Sequence, residues 1–331
     1  MKKYHVYGIG NALVDMEFEV EDSFLQKMNV EKGLMTLVDQ DRQAELLSHL
    51  TGIQHKRSCG GSAANTIIAV SQFGGKSFYS CKVASDEVGE FYYKDLVGNG
   101  VVTNMGENRE EGITGKCMVL VTPDADRTMN SFLGITETFS EAELVKSEML
   151  DSEYLYIEGY LVTSPTGKAA AIKARELAEA NGVKTALTFS DPGIVGFFKE
   201  GFKEMIGEKK LDLLFCNEAE AMSYTETETT DEACAKLKSV AKTFAITCGP
   251  KGAIVYDGER EIEVVTNKVD AVDTNGAGDL FAGAFLYGIT NGLSYGEAGR
   301  VACSASSKLV TQFGARLRKE QVDEIKGQEL K

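Results

Sequence analysis

The 331-residue chain is short of several things, and each shortage narrows what it can do. No apolar run approaches the ~20 residues that a membrane-spanning helix needs, so no membrane partner is expected. The first residues lack the charged-then-apolar pattern of a secretory leader, which points to a cytoplasmic protein. The seven cysteines, at 59, 81, 117, 216, 234, 248 and 303, sit in mostly apolar contexts and form no C-x-x-C pair. Neither a disulfide framework nor a cysteine–zinc site is expected from them. The three histidines, His5, His49 and His55, have no triad-like setting, which leaves nucleophilic hydrolysis unsupported. Cations are outnumbered, 35 Lys and Arg against 50 Asp and Glu, and the net charge of −15 argues against a nucleic-acid footprint. A neutral nucleoside or sugar is not repelled by such a charge. The Walker A pattern is also missing, so any phosphate must be held by other backbone amides and a few cations. Repeats, low-complexity tracts and Pro-rich linkers are absent, and the length suits one large α/β domain with a small appendage.

What is present alternates between strand and helix. Tyr4 to Gly8 reads as a strand that breaks at Gly10-Asn11. Gly8-x-Gly10 opens like a dinucleotide fingerprint, but Leu13 replaces the third glycine and a strand follows where the helix should be. In that strand Met16, Phe18 and Val20 alternate with Glu17, Glu19 and Glu21, the pattern of a half-exposed ribbon. Thr114 to Val121 turns at Pro123-Asp124-Ala125-Asp126 and returns from Arg127 to Phe132. Segments 77–84, 154–158, 184–189, 211–216, 243–248 and 252–256 read as strands, and Glu263 to Val272 as further β-structure. Helical patterns such as Gly167 to Asn181 and Asp231 to Ala241 lie between most of them. This alternation predicts a mostly parallel, helix-covered sheet. Residues 14–38 and 113–134 are expected to form a small discontinuous lid inserted in that core.

The most informative segment is Asp273-Thr274-Asn275-Gly276-Ala277-Gly278-Asp279, because a carboxylate caps a glycine-rich turn that opens a helix. Phe281, Phe285 and Ile289 mark one face of that helix. A helix N-terminus attracts phosphate through its free N–H groups and its dipole, yet Asp279 places a negative charge there. The combination suits a site that stabilises a phosphoryl group in flight while the carboxylate takes a proton from the attacking hydroxyl. The plain alternative is a capping Asp after a flexible loop. Asn217-Glu218-Ala219-Glu220 follows a strand at the end where α/β sheets bind ligands, and it also reads as a capping box with Asn217 as N-cap. Thr247-Cys248-Gly249-Pro250-Lys251-Gly252 is a turn between strands, and Gly60-Gly61 a turn before the helix Ser62 to Phe73. Asp15 stands alone in an apolar stretch. Tyr160 and Met129 suit either core or an apolar slot for a purine.

These motifs, in this order, resemble the ribokinase-like (PfkB) family of carbohydrate and nucleoside kinases. The signature looks like Asp273 to Gly283, and the di-glycine followed by Asn looks like Gly60-Gly61-Ser62-Ala63-Ala64-Asn65. Gly8-Ile9-Gly10-Asn11 with Asp15, Asp124 to Gly134, Tyr156 to Ser164 and Leu214 to Ala221 are most similar to the adenosine kinase branch. The resemblance implies a ribokinase-like three-layer domain over residues 1–331, with transfer of the ATP γ-phosphoryl to the 5′-hydroxyl of adenosine. It leaves open a sugar kinase for ribose or fructose and, more remotely, a non-catalytic ligand-binding protein on the same fold. Residue by residue, it implies Asp279 as base and the amides of Gly276, Ala277 and Gly278 as an anion hole. Arg127 is implied over the phosphoryl group, brought there by lid closure. Asn11, Asp15, Gly60, Gly61 and Asn65 would face the acceptor, with Gly60-Gly61 a hinge whose glycines serve motion more than packing. Asn217, Thr247, Gly249, Gly252, Asp273 and Thr274 would serve the nucleotide, and Asn217 with Glu220 a hydrated Mg²⁺. A monovalent cation such as K⁺ beside Asp273, and a monomer or homodimer, complete what it implies.

Overall fold

The computed structural model describes residues 2–50, 54–106, 109–124 and 126–330; Ala125, in the expected lid turn, and the side chain of His55 lie outside them. Its strands run β1 (Tyr4–Ile9), β2 (Leu13–Glu19), β3 (Met35–Leu37), β4 (Gln54–Gly60), β5 (Ser77–Ser80), β6 (Val102–Thr103) and β7 (Thr114–Val121). They continue with β8 (Arg127–Gly134), β9 (Ser152–Ile157), β10 (Lys184–Thr188), β11 (Leu211–Asn217), β12 (Ala241–Thr247), β13 (Ala253–Tyr256) and β14 (Glu261–Val264). Nine form one sheet in the order β14-β13-β12-β11-β10-β9-β1-β5-β6. Pairing is parallel from β6 to β12 and antiparallel only at the edge pairs β12–β13 and β13–β14.

Successive residues of a strand point to opposite faces, and the core divides accordingly. Tyr154 and Tyr156 of β9 join one apolar cluster, with the helices Ser62–Gln72, Ala277–Thr290 and Tyr295–Leu309. Leu155 and Ile157 join the other, with the helices Pro165–Ala180 and Lys199–Ile206. Both faces are covered, which is why these strands read as near-continuous apolar runs. Helix Ala277–Thr290 is apolar almost all round and buried from Leu280 to Leu286. At Gly283 it lies so close to helix Ser62–Gln72 that an added Cβ would stand 2.5 Å from that of Ala69. This contact brings the two helix N-termini together. Among the described residues no helix is long and apolar enough to cross a membrane.

The other five strands form a second sheet, β3-β8-β7-β2-β4. It is larger than residues 14–38 and 113–134 suggested, because β4 pairs antiparallel with β2, Asp15 opposite Ser58. The sequence Gln54 to Gly60 is polar and carries no alternation, so nothing in its pattern marks a strand. Two further expectations are corrected. The β-structure expected over Glu263 to Val272 ends at Val264, and Val265, Val269 and Val272 are exposed in a loop. The ribbon at Met16 to Glu21 is not half-exposed throughout, since Glu17 is 2 % exposed and accepts a hydrogen bond from Asn275 Nδ2 at 3.4 Å.

Candidate active site

Both helices that meet at Gly283 begin at a glycine with positive φ and no side-chain cap, Gly61 (+96°) and Gly276 (+72°). Asp279, in the first turn of the second helix, crosses to the first: Ser62 Oγ donates to its Oδ1 at 2.7 Å and Asn65 Nδ2 to its Oδ2 at 3.1 Å. Burial pushes the Asp279 carboxyl above the usual range, and these two donors with the charge of Arg127 pull it back. Asn65, expected to face the acceptor, lines the cavity; its amide holds the carboxylate, and its buried Oδ1 has no partner among the described residues. Arg127 Nη1 donates to Thr274 O at 3.2 Å, which ties the small sheet to the turn. Around Asp279 the structure opens a cavity of about 250 Å³, walled by Ser62, Asn65, Arg127 and the turn Thr274 to Gly278. Ala277 N donates to Thr274 O and Leu280 N to Gly276 O, whereas the N–H groups of Gly278 and Asp279 between them have no acceptor among the described residues.

The same cavity is lined by Asn11, Asp15, Gly61, Met129 and Tyr160, joined by Leu13, Met35, Leu37, Cys117 and Leu133 of the small sheet. Asp15 is buried, and desolvation, then the charge of Glu17, pushes its carboxyl well up. Gly60 is not on the wall; it makes room for Asp15, whose carboxyl a side chain there would overlap. Gly61 likewise has no room for a Cβ, which would overlap the carbonyl oxygen of Asn11. Packing therefore demands both glycines, a role the expectation that they serve motion more than packing had put second, and positive φ demands Gly61 besides. Tyr160 donates to Ser190 O at 3.4 Å.

Glu158 was not anticipated. Its Oε1 accepts from the N–H and the Nδ2 of Asn11, both at 3.0 Å, and its Oε2 accepts from Ala63 N at 2.8 Å. It thereby ties the end of β1 to the helix that carries Ser62 and Asn65. Burial outweighs these three donors and raises its carboxyl to about 7. The available clue was its place just past β9, at the carboxyl edge of the sheet. The clue to Ser62 was its spacing of three from Asn65, which puts both on one helix face.

Asn217, Glu220, Thr247 and Thr274 also line the cavity, while Gly249, Gly252 and Asp273 do not. The amides of Lys251 and Gly252 are used within their own turn, and Gly252 lies too close to Val264 O for any Cβ. Asp273 is buried and shapes the loop, its Oδ1 accepting from Asn275 N at 2.8 Å and its Oδ2 from Gly314 N at 2.9 Å. Asn217 and Glu220 make the capping box in full, and burial raises Glu220 to about 7. Among the described residues no cluster of three or more His, Cys, Asp or Glu could enclose a metal. The seven cysteines are free and buried.

The chain is similar over nearly its whole length to proteins of one kind. Adenosine kinase 1 of Arabidopsis thaliana is 27 % identical, covering 93 % of this chain and 94 % of its own. The crystal structure of an adenosine kinase from Sinorhizobium meliloti superposes with a TM-score of 0.93 at 34 % identity, covering 98 % of this chain and 99 % of the other. That of a probable sugar kinase from Rhizobium etli gives 0.94 at 31 % identity and covers both chains fully. The model of the pfkB family of carbohydrate kinases matches residues 32–321, and the chain belongs to that family.

Proposed function

We propose that the protein transfers the γ-phosphoryl group of ATP to the 5′-hydroxyl of adenosine, giving AMP and ADP. One observation carries this reading: a half-buried carboxylate, Asp279, held by Ser62 and Asn65 at an uncapped helix N-terminus, in a cavity that a buried carboxylate, Asp15, also lines. Asp279 accepts the proton of the attacking hydroxyl. The free N–H groups at Gly278 and Asp279, with Arg127, stabilise the charge that develops on the phosphoryl oxygens. Asp15 takes two vicinal ribose hydroxyls, donors that favour the ionised carboxylate against the burial that disfavours it. Met35, Leu37, Met129 and Leu133 offer an apolar wall to a flat base.

Glu220 presents a buried carboxylate at the nucleotide end of the cavity, and with Asn217 it fits a Mg²⁺ held largely through water and nucleotide oxygens. When bound, the ion neutralises phosphate charge. The small sheet, with Arg127 spanning to the catalytic turn, acts as the lid. The seven buried thiols fit work in a reducing cytoplasm.

An acceptor panel with coupled ADP detection tests the reading. Adenosine should be the best acceptor, and removal of the 2′- or 3′-hydroxyl should cost about 1–3 kcal/mol, since it leaves Asp15 partly unpaired. Equal kcat/KM for adenosine and both deoxyadenosines would remove Asp15 from the acceptor site. The kinship with a probable sugar kinase favours one other reading, and strong activity on ribose or fructose with none on nucleosides would establish it.

A further inference from the structure

An ion pair outside the cavity touches both halves of the site. Arg316 follows helix Tyr295–Leu309, and its side chain is 10 % exposed. Its Nη1 donates to Oδ2 of Asp95, at 2.8 Å, on helix Glu87–Gly98. Its Nη2 donates to the carbonyl oxygen of Cys59 and, at 2.8 Å, to the Cys59 sulfur. The same Asp95 oxygen accepts from Cys59 N at 2.7 Å, and Tyr92, also on that helix, donates its hydroxyl to Gly60 O at 3.0 Å. The end of β4 beside Asp15 is thus gripped on its N–H, its carbonyls and its sulfur.

The two residues before Arg316 face the other way. Gly314 N donates to Asp273 Oδ2 at 2.9 Å, and Ala315 packs on Gly276, where an added Cβ would lie 2.5 Å from its own. Three consecutive residues therefore touch the turn that ends in Gly60-Gly61 and the turn that opens at Gly276. Stability alone does not explain the pair, since well-packed apolar residues often replace a buried ion pair without loss. A guanidinium fork does what an apolar group cannot: it holds two partners at fixed angles.

We infer that Arg316 is a positioning residue for phosphoryl transfer: bracing Cys59 on one side and continuous with Ala315 on the other, it fixes the acceptor strand end and the phosphate turn at one separation. The inference rests on the proposed function for the names of the two ligands and on the geometry for the coupling. In the full-length chain, Arg316→Met and Arg316→Lys are compared with wild type in melting temperature, kcat, KM for adenosine and ATP, and hydrogen exchange at 57–62 and 273–278. Folded Arg316→Met should lose about ten- to a hundredfold in kcat/KM, the scale of a small misplacement of reacting groups, and exchange faster in both segments. Arg316→Lys keeps the charge but not the fork and should recover only part of the loss. A merely structural tie would lower the melting temperature and leave kcat/KM within twofold, which overturns the inference, as does faster exchange confined to one segment. If Arg316→Met does not fold, the same outcomes apply to Arg316→Lys. The exchange arm needs no acceptor, so it decides the coupling even if adenosine proves not to be the substrate.

Discussion

Two helix starts in this molecule have the same form and opposite fates. Helices beginning after Asp39, Asp86, Ser164, Asp191, Asn217, Thr229 and Ser294 are capped by those side chains. The helices after Gly61 and Gly276 have no such cap, so their orphan N–H groups must be answered from elsewhere. At Ser62–Gln72 the answer is built in, because Glu158 reaches across to Ala63 N. At Ala277–Thr290 the N–H groups of Gly278 and Asp279 have no acceptor among the described residues, and both residues line the cavity. The same anion-seeking end is filled once by a protein carboxylate and left once for a ligand, and the filled helix supplies the two donors that hold Asp279 on the open one. A permanent occupant makes a rigid reference, and the vacant partner is what chemistry can use.

The largest expected effect strikes the open start. Asp279→Asn should lower kcat by roughly 10² to 10⁴ while the protein stays folded, measured by coupled ADP release beside a melting curve. Turnover near wild type would end the comparison.

Next comes a pair of glycine substitutions. Gly61→Val, at φ +96° and with its Cβ overlapping Asn11 O, should cost roughly 1–3 kcal/mol of stability or more. Gly278→Ala, with nothing within 4 Å of the new Cβ, should be neutral or stabilising by up to about 1 kcal/mol yet raise KM for ATP. Equal destabilisation in denaturant titrations would erase the distinction between filled and open.

The third effect is a slope in pH. Burial holds Glu158 at about 7 against an ordinary 4.5, so between these values the folded protein keeps a proton that the unfolded chain has released. Stability from this group therefore falls as pH rises from about 4.5 to about 7. Melting temperatures at pH 5 and pH 7 should drop more steeply for wild type than for Glu158→Gln, and parallel slopes would show that another group carries the dependence. The smallest effect is on the base itself. Ser62 lowers the Asp279 pKa, so Ser62→Ala should move the acidic limb of the kcat/KM profile toward higher pH. An unmoved limb would detach Ser62 from the base.

The sequence is legible where one local rule decides. The parallel strands follow from apolar runs, and Asp279 stands out because a charge after glycines at a helix start contradicts ordinary anion binding. It is opaque where tertiary contact decides. β4 is a polar edge strand, made a strand by its pairing with the mostly buried β2, and no period records that. Glu158 looks like any residue after a strand until Asn11 and Ala63, far away in the chain, come to its oxygens. Gly60-Gly61 announces a turn, but only the structure shows that Asp15 and Asn11 O occupy the space a side chain would need. Gly252 and Asp273 also occur in functional-looking strings, and only the structure shows that Gly252 has no room beside Val264 O and that Asp273 holds the N–H groups of Asn275 and Gly314.

The strand order of the small sheet also sets a schedule for making the protein. β2, which carries Asp15, lies between β4 and β7, and β4 is complete at residue 60 while β7 begins only at residue 114. On the ribosome β2 can find β4 early, but its parallel neighbour must wait until β5 and β6 of the main sheet have been synthesised. β8 and β3, outside β7, wait longer still. The small sheet is nevertheless complete at residue 134, before β9 to β14 have been made, so Asp15 can be enclosed on that side while most of the main sheet and Asp279 are still to come.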